Sequence, residues 1–153
     1  AGTYLKLTRN GSCIMSNTPA EMRDLYPFRR AATGMVLING LGLGIAASLA
    51  LAKPDVTSVT VVELSADVIH LVAPALADPR LTVIEADAYE WQPPKGMRYN
   101  AVWHDIWDDL CADNLPLMAR LHRKYGRRAD WQGSWGRGEI EYQRQHDRRY
   151  PWR

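Results

Sequence analysis

The sequence predicts an α/β protein, with a parallel sheet that has helices on both faces and a small β-hairpin in front of it. Short runs rich in β-branched residues alternate along the chain with segments of helical composition. A glycine-rich turn separates the first strand of this alternation from the helix that follows it. Alternating strands and helices form βαβ units, whose strands are parallel and whose crossovers are right-handed.

The composition is that of one globular domain. The chain has 153 residues, of which 46% are hydrophobic and 24% are charged, which is enough for a real core. Its two cysteines, Cys13 and Cys111, predict free thiols in a reducing compartment rather than a disulfide framework. The N-terminus has no signal-peptide pattern, and it begins with Ala1 rather than Met, which is typical of a trimmed chain. We expect a cytoplasmic protein.

The first elements expected are a hairpin and a short helix. Apolar alternation surrounds Asn10-Gly11, a dipeptide that favours a two-residue hairpin turn. Residues 18–21 ("TPAE") have the form of a capping box with proline at the first helical position. We assign residues 1–30 to this unit and interpret it as a structural preface to the sheet.

Residues 31–52 carry no charged side chain, and this length could cross a bilayer. The local pattern favours two elements instead. Residues 35–38 ("MVLI") predict a buried strand between glycines, and residues 44–53 ("GIAASLALAK") predict a helix that ends before Pro54. We therefore expect no membrane span.

Three more strands and two more helices follow along the chain. The predicted strands span residues 57–63, 81–85 and 100–105, and the predicted helices span residues 66–76 and 115–125. The last helix has Asn114 as its N-cap and Gly126 just past its end. We expect residues 31–126 to form a Rossmann-like core, in which ligands lie at the carboxyl ends of the strands.

Glycines and carboxylates follow the ends of the predicted strands. Gly40, Gly42 and Gly44 come after the first strand and permit close approach of the backbone to a ligand at a helix N-terminus. Glu63 ends the second strand, where a carboxylate can accept both hydroxyls of a ribose.

Asp87 and Asp105 follow the third and fourth strands. Asp87 is suitably placed to accept from an exocyclic amine, and Asp105 could orient an acceptor or take its proton. Each polar residue alone is compatible with a tight turn, a helix cap or a solvated loop. The four strand ends together predict a ligand site.

Four segments resemble the successive motifs of class I S-adenosylmethionine-dependent methyltransferases, and more closely those of the spermidine-synthase-like branch. They are "VLINGLGLG", "VTVVELSADVIHLV", "LTVIEADAYEW" and "YNAVWHDIWDD". Residues 78–88 ("DPRLTVIEADA") fit that branch closely, and the hairpin with its helix resembles the small β unit that precedes its Rossmann-like domain. The resemblance covers residues 10–110.

The resemblance implies that S-adenosylmethionine, or its decarboxylated form, is the cofactor. The glycines would line its methionine part, Glu63 would bind the ribose, and Asp87 would lie near the adenine amine. The implied cofactor-binding residues are Asn39, Gly40, Gly42, Gly44, Glu63, Leu64, Asp87 and Ala88, and the implied catalytic residues are Asp105 and Asp108.

Two positions depart from the family pattern. Methyltransferases usually have an acidic residue where Asn39 stands, and polyamine synthases have an Asp where this chain has Leu43. That acid helps to hold the amino group of the cofactor, so its absence weakens the case for aminopropyl transfer. The Asp113-Asn114 pair comes too early to complete the magnesium site of catechol-type O-methyltransferases, which argues against a metal.

Aromatic residues flank Asp105. Trp103 and Asp105 share one face of the predicted strand, so Trp103 could wall a cationic amine by cation–π attraction, although packing in the core or under a lid is the simpler interpretation for Trp103 and Trp107. His104 lies on the opposite face, which indicates a structural role.

The C-terminal segment differs from the rest of the chain. Residues 1–117 have a net charge of −4 and residues 118–153 a net charge of +6. After Gly126 the sequence is rich in Arg, with Trp and Tyr between, and no convincing strand is visible. We assign residues 127–153 to a basic, aromatic arm, which leaves open a sheet truncated at its C-terminal strands. The arm could pack Trp131 and Trp135 on its own domain or on a homodimer partner, bind nucleic-acid phosphates, or supply an acceptor pocket.

The sequence thus predicts a transferase that binds S-adenosylmethionine, most simply a methyltransferase for an amine or hydroxyl of a small molecule. Two alternatives stay open: a relative of polyamine aminopropyltransferases that uses the decarboxylated donor, and a catalytically degenerate protein that binds nucleic acid through its basic arm. A site for NAD fits less well, because the motif is GxGxG rather than GxGxxG.

Overall fold

The computed structural model describes residues 2–149. In this part of the chain the strands are β1 (Lys6–Arg9), β2 (Ser12–Ser16), β3 (Gly34–Asn39), β4 (Val56–Glu63), β5 (Leu81–Glu85), β6 (Tyr99–His104) and β7 (Ala129–Ser134). The helices are α1 (Pro19–Asp24), α2 (Tyr26–Ala31), α3 (Ile45–Leu51), α4 (Ala66–Val72), α5 (Asn114–Tyr125) and α6 (Arg137–Arg149), and a 3₁₀ turn follows α4.

The five later strands form one parallel sheet in the order β5-β4-β3-β6-β7, and β1 and β2 form a separate antiparallel hairpin. The order reverses beside β3, where the chain leaves to one side through β4 and returns to the other through β6. Such a switch point opens a crevice at the carboxyl ends of the strands. The predicted fold class, a Rossmann-like parallel sheet preceded by a hairpin, is confirmed.

Apolar side chains cover both faces of the sheet. Val36 and Leu37, neighbours in β3, are both fully buried and belong to different cores, because side chains alternate across a strand. The core around Val36 contains Phe28 of α2 and Ala47 of α3, and the core around Leu37 contains Tyr125 of α5. The helices therefore lie on both faces, as the sequence predicts.

The uncharged stretch of residues 31–52 forms β3, the glycine turn and α3. Within residues 2–149, no helix is both long enough and apolar enough to cross a membrane.

The start of the N-terminal helix differs in detail from the predicted capping box. Thr18 precedes α1, but its side chain forms no cap hydrogen bond. The Glu21 carboxylate instead accepts from the Ser16 backbone N–H at 2.6 Å. At α5, the N-cap is Asp113 rather than Asn114, whose side chain donates to the Asp109 carbonyl.

The prediction was wrong after Gly126, where a strand and a helix follow instead of an arm without further strands. β7 pairs in parallel with β6, with Ala101 opposite Trp131 and His104 opposite Ser134. The described start of the segment 127–153 therefore extends the sheet. Residues 150–153 lie outside the described residues.

Candidate functional site

A cavity of about 420 Å³ lies at the carboxyl ends of the central strands. Residues that follow β3, β4, β5 and β6 line it, and the β1–β2 hairpin forms a further wall. Eight of the ten residues that the sequence predicts for the site line this cavity: Gly40, Gly42, Glu63, Leu64, Asp87, Ala88, Asp105 and Asp108.

The other two predicted residues, Asn39 and Gly44, lie behind the cavity. Asn39 is fully buried, and its side-chain Nδ2 lies 2.9 Å from His104 Nδ1. Gly44 is the N-cap of α3, with a φ of 75°. Both residues thus flank the glycine turn without lining the cavity.

The glycine turn is packed so tightly that Gly40 cannot carry a side chain. A Cβ atom there would lie 1.9 Å from the backbone oxygen of Asp105, and its φ is 98°, a conformation that L-residues rarely adopt. The turn after β3 and the end of β6 are therefore in direct backbone contact. At Gly42, a Cβ atom would lie 2.5 Å from the sulfur of Met15.

The Glu63 carboxylate ties the glycine turn to the start of α4. Its Oε2 accepts from the Leu41 N–H at 2.8 Å, and its Oε1 accepts from the Ser65 N–H at 2.8 Å. An ionised carboxylate offers about four acceptor positions, so these two bonds leave room for ligand hydroxyls.

Asp87 is held in a similar way at the end of β5. Its Oδ1 accepts from the Tyr89 N–H at 2.7 Å, which leaves acceptor capacity for a ligand amine. Tyr89 also lines the cavity, and the guanidinium of Arg120 lies 4.8 Å from the centre of its ring. Among the described residues, the buried Tyr89 hydroxyl has no hydrogen-bond partner.

Asp105 has the most perturbed carboxyl group of the site. Burial raises the pKa of Asp105 to about 7, and the Trp103 indole acts in the opposite direction, although within residues 2–149 its Nε1 has no hydrogen-bond partner. The carboxylates of Glu21, Asp24 and Glu63 raise this pKa further. A carboxyl group with a pKa near neutrality can both hold and accept a proton at physiological pH.

The tryptophans beside Asp105 have different surroundings. Trp103 is 3% exposed and lies against Phe28 at 5.5 Å and against Trp131 at 6.3 Å between ring centres, so it packs in the core. Trp107 lines the cavity. A small adjoining pocket of about 20 Å³ shares Asp105 and Trp107 with the cavity and adds Glu21 and Trp135.

Sequence reasoning missed the contribution of the hairpin. Leu7, Arg9, Ile14 and Met15 all line the cavity, whereas the sequence favoured a structural preface. No spacing rule connects a hairpin to the edge of a sheet that the chain forms much later, so the local pattern gave no signal.

Two contacts join the hairpin to the rest of the site. Arg9 forms an ion pair of 2.9 Å with Asp108, so this predicted catalytic carboxylate is engaged at the rim of the cavity. The Met15 sulfur accepts from the Leu43 N–H at 3.1 Å, which covers one amide of the glycine turn.

The described residues include no group of three or more His, Cys, Asp or Glu side chains that could hold a metal ion. Cys13 is exposed and Cys111 is partly buried, and both are free thiols.

Comparison with known proteins gives one curated relative of related sequence. No family model matches the chain. A polyamine aminopropyltransferase from Corynebacterium efficiens is 36% identical to it over 109 residues, which are 64% of this chain and 20% of that protein. The chain thus spans about a fifth of the length of the curated relative that it matches.

Solved structures of methyltransferases have a similar fold. A protein of Pyrococcus horikoshii, described as a candidate RNA methyltransferase, has a TM-score of 0.57 and 17% identity over 82% of this chain and 65% of that one. The 23S rRNA methyltransferase ErmE has a TM-score of 0.56 and 15% identity over 73% of this chain and 43% of that one. At such identities the likeness concerns the fold, which is the Rossmann-like fold that these methyltransferases have.

Proposed function

We propose that the chain binds S-adenosylmethionine in the cavity at the carboxyl ends of β3–β6 and transfers its methyl group to an amine or hydroxyl acceptor. One observation carries this proposal: the glycine turn, Glu63, Asp87 and Asp105 lie at or just past the ends of four different strands and line one cavity. The methyltransferase fold and the relative that is an aminopropyltransferase support it.

The cavity residues fit a nucleoside donor. Gly40 and Gly42 leave the turn open to close backbone contact, Glu63 would accept the ribose hydroxyls, and Asp87 would accept from the adenine amine. When bound, such a donor supplies a methyl group on a positively charged sulfur, which is already activated for transfer. The protein then has to align the acceptor and manage its proton.

The charge around Asp105 favours cationic ligands. The charged residues that line the cavity are five acids, Glu63, Asp87, Asp105, Asp108 and Asp109, and one base, Arg9. A cleft with such an excess of negative charge attracts cations. The negative charge suits a sulfonium donor and an amine acceptor. It disfavours a nucleic acid as the acceptor, because the phosphates would be repelled at the mouth of the cavity. We therefore favour a small amine over the other acceptor classes.

Asp105 is the group that we propose to take the proton of the acceptor. Its pKa of about 7 suits a general base at neutral pH. Asp108, which the sequence also suggests as catalytic, would have to exchange its ion pair with Arg9 for the acceptor. We propose a secondary role for Asp108 at the rim.

Aminopropyl transfer from the decarboxylated donor is the second candidate. The small pocket between Glu21, Asp105, Trp107 and Trp135 has room for one group of the size of water or ammonium, and carboxylates with indoles suit such a cation. The 36% identical relative is named for this activity. Leu43 counts against it, since polyamine synthases have an Asp at this position.

Calorimetric titration with S-adenosylmethionine, S-adenosylhomocysteine and the decarboxylated donor tests the proposal. We expect the first two to bind, and Glu63→Gln to weaken their binding by about 10-fold or more, because a neutral amide accepts more weakly than a carboxylate. Glu85→Gln is the matched control, since Glu85 is exposed at the register position opposite Glu63 on the neighbouring strand.

The alternatives give other results in the same titration. Preference for the decarboxylated donor would indicate aminopropyl transfer. If both Gln variants bind the donor equally well, Glu63 does not bind the ribose. If no donor binds, the proposed function is wrong, and salt-sensitive binding of a nucleic acid would then favour the degenerate binding protein.

A further inference from the structure

A chain of three hydrogen-bonded polar side chains, two fully buried and one partly buried, begins next to the glycine turn. Asn39 and His104 are both fully buried, and Asn39 Nδ2 lies 2.9 Å from His104 Nδ1. The other ring nitrogen, His104 Nε2, lies 3.1 Å from Gln132 Oε1. Gln132 Nε2 in turn donates to the backbone carbonyl of His122 at 3.0 Å. We call Asn39, His104 and Gln132 the buried relay.

The donors and acceptors of the buried relay are compatible with one arrangement of protons. The Gln132 amide nitrogen is already a donor to the His122 carbonyl, so its oxygen faces His104 and can only accept. His104 therefore carries its proton on Nε2, and its Nδ1 is free to accept from the Asn39 amide.

The surroundings of His104 keep its ring neutral. Burial lowers the pKa of His104 to about 3, the Gln132 hydrogen bond acts in the opposite direction, and His122, Arg137 and Lys124 lower it further. The rings of His122 and Tyr125 lie at 5.1 Å and 5.7 Å from the His104 ring. Protonation therefore does not disturb the relay near neutral pH.

The relay ends at Asn39, where the glycine turn contacts the backbone of Asp105. The Asp105 N–H donates to the Asn39 carbonyl at 2.8 Å, and the residue after Asn39, Gly40, packs on the backbone of Asp105. A shift of Asn39 relative to His104 would therefore move the glycine turn relative to Asp105.

We propose that His104 is a positioning residue, whose Nε2–H tautomer, fixed by Gln132, holds Asn39 and sets the glycine turn against Asp105. The link to catalysis rests on the proposed function, because it requires that the turn binds the donor. The relay also gives a reason for Asn39: an aspartate there has no N–H to donate to His104 Nδ1.

Nitrogen NMR of the histidine rings combined with titration of S-adenosylhomocysteine tests this proposal. In the unaltered chain we expect the Nε2–H tautomer of His104 from pH 5.5 to pH 8. Gln132→Met keeps a similar shape without the acceptor. It should abolish the tautomer preference, shift the amide signals of Gly40 and Gly42, and weaken binding roughly 3-fold to 30-fold, the range for changes that act through an intermediate residue.

Two further variants sharpen the test. Asn39→Asp should place a proton on Nδ1 of His104, because the new carboxylate can only accept. Gln143→Met, on an exposed position of α6, is the matched control and should change neither the ring signals nor binding.

Three results would overturn the proposal: an Nδ1–H tautomer in the unaltered chain, unchanged glycine signals in Gln132→Met, or unchanged binding by that variant where the unaltered chain binds. If the unaltered chain binds no donor, the proposed function fails, while the ring and glycine signals still decide whether His104 positions the turn. If Gln132→Met does not fold, the tautomers of the unaltered chain and of Asn39→Asp decide.

Discussion

The Asp105 carboxyl group lowers the stability of the protein at the pH at which it would act. In an unfolded chain this carboxyl titrates near 3.8, whereas burial raises its pKa in the folded protein to about 7. The folded state therefore holds the proton more tightly, so this group makes the free energy of unfolding fall as the pH rises from about 4 to about 7. An unfavourable charge retained at a cavity is typical of a functional group.

Asp105→Asn should separate the proposed role of this carboxyl group in transfer from its effect on stability. We expect the variant to bind the donor but to lose transfer activity, because the amide cannot take a proton. We also expect it to be more stable than the unaltered chain, with a difference that grows from pH 4 to pH 7 and then levels. Urea unfolding at several pH values, with donor titration alongside, measures both. A variant that is less stable at pH 8 would show that the carboxylate is structural.

The positions of the site residues could be predicted from the sequence better than their bonds. Glu63, Asp87 and Asp105 could be predicted because each lies at or just past the end of a strand that the sequence pattern indicates, and strand ends meet at one edge of a parallel sheet. The bonds of Glu63 to Leu41 and Ser65 could not be foreseen, since they depend on the rotamer of one side chain. The partner of Asn39 is 65 residues away in sequence.

The role of the hairpin is the largest difference between the sequence prediction and the structure. Among the described residues its strands pair only with each other, yet Arg9 and Met15 line the cavity. It is held by an exposed ion pair and a thioether contact, by the Ser16 N–H bond to Glu21 and by Leu7, which packs against the core. Of these contacts, the exposed ion pair contributes at most about 1 kcal/mol, so it can be removed without unfolding the hairpin.

Removal of the ion pair tests the hairpin as a wall of the site. Arg9→Ala should weaken donor binding by a few fold and increase its dissociation rate, with a change in unfolding free energy below about 1 kcal/mol. Arg98→Ala is the control, because Arg98 forms a comparable exposed pair with Asp130 outside the cavity. Stopped-flow measurement of donor release distinguishes the two variants; equal release rates would mean that the hairpin does not restrain the ligand.

β7 shows why one strand of the sheet could not be predicted. β3 and β4 are buried runs rich in Val and Ile, which is the signal that sequence reasoning uses. β7 ("ADWQGS") contains one large apolar residue and a glycine. An edge strand buries less, so it needs less of this pattern.

For the whole molecule, one fully buried group, His104, and two partly buried groups, Asp105 and His122, have the largest pKa shifts and dominate the dependence of stability on pH. Burial lowers the pKa of His104 to about 3 and that of His122 to about 4, against 6.5 in an unfolded chain. Between pH 4 and pH 6.5 the unfolded chain therefore binds more protons at the two histidines than the folded protein. Over this range the folded protein binds more protons at Asp105 than the unfolded chain does. Asp105 accounts for at most one proton, whereas the two histidines account for up to two.

The unfolding free energy should accordingly rise from pH 4 to about pH 7, where the folded and unfolded chains bind equal numbers of protons at these three groups, and stay nearly level above it. Thermal unfolding across this range, in buffers of equal ionic strength, measures the curve. In Asp105→Asn the rise between pH 4 and pH 7 should be steeper, because the opposing contribution of Asp105 is gone. Equal slopes in the two chains over this range would contradict the assignment for Asp105.

The position of β7 also bears on how the protein behaves at high concentration. Within the described residues β7 has a neighbour, β6, on one side, and an open strand edge is a template for pairing with another chain. Two residues of β7 disfavour such pairing. Gly133 offers no side chain for a neighbouring strand to pack against. Asp130 carries a charge, which forms an exposed ion pair with Arg98. The features that hide β7 from sequence prediction are therefore those expected to protect the sheet from aggregation.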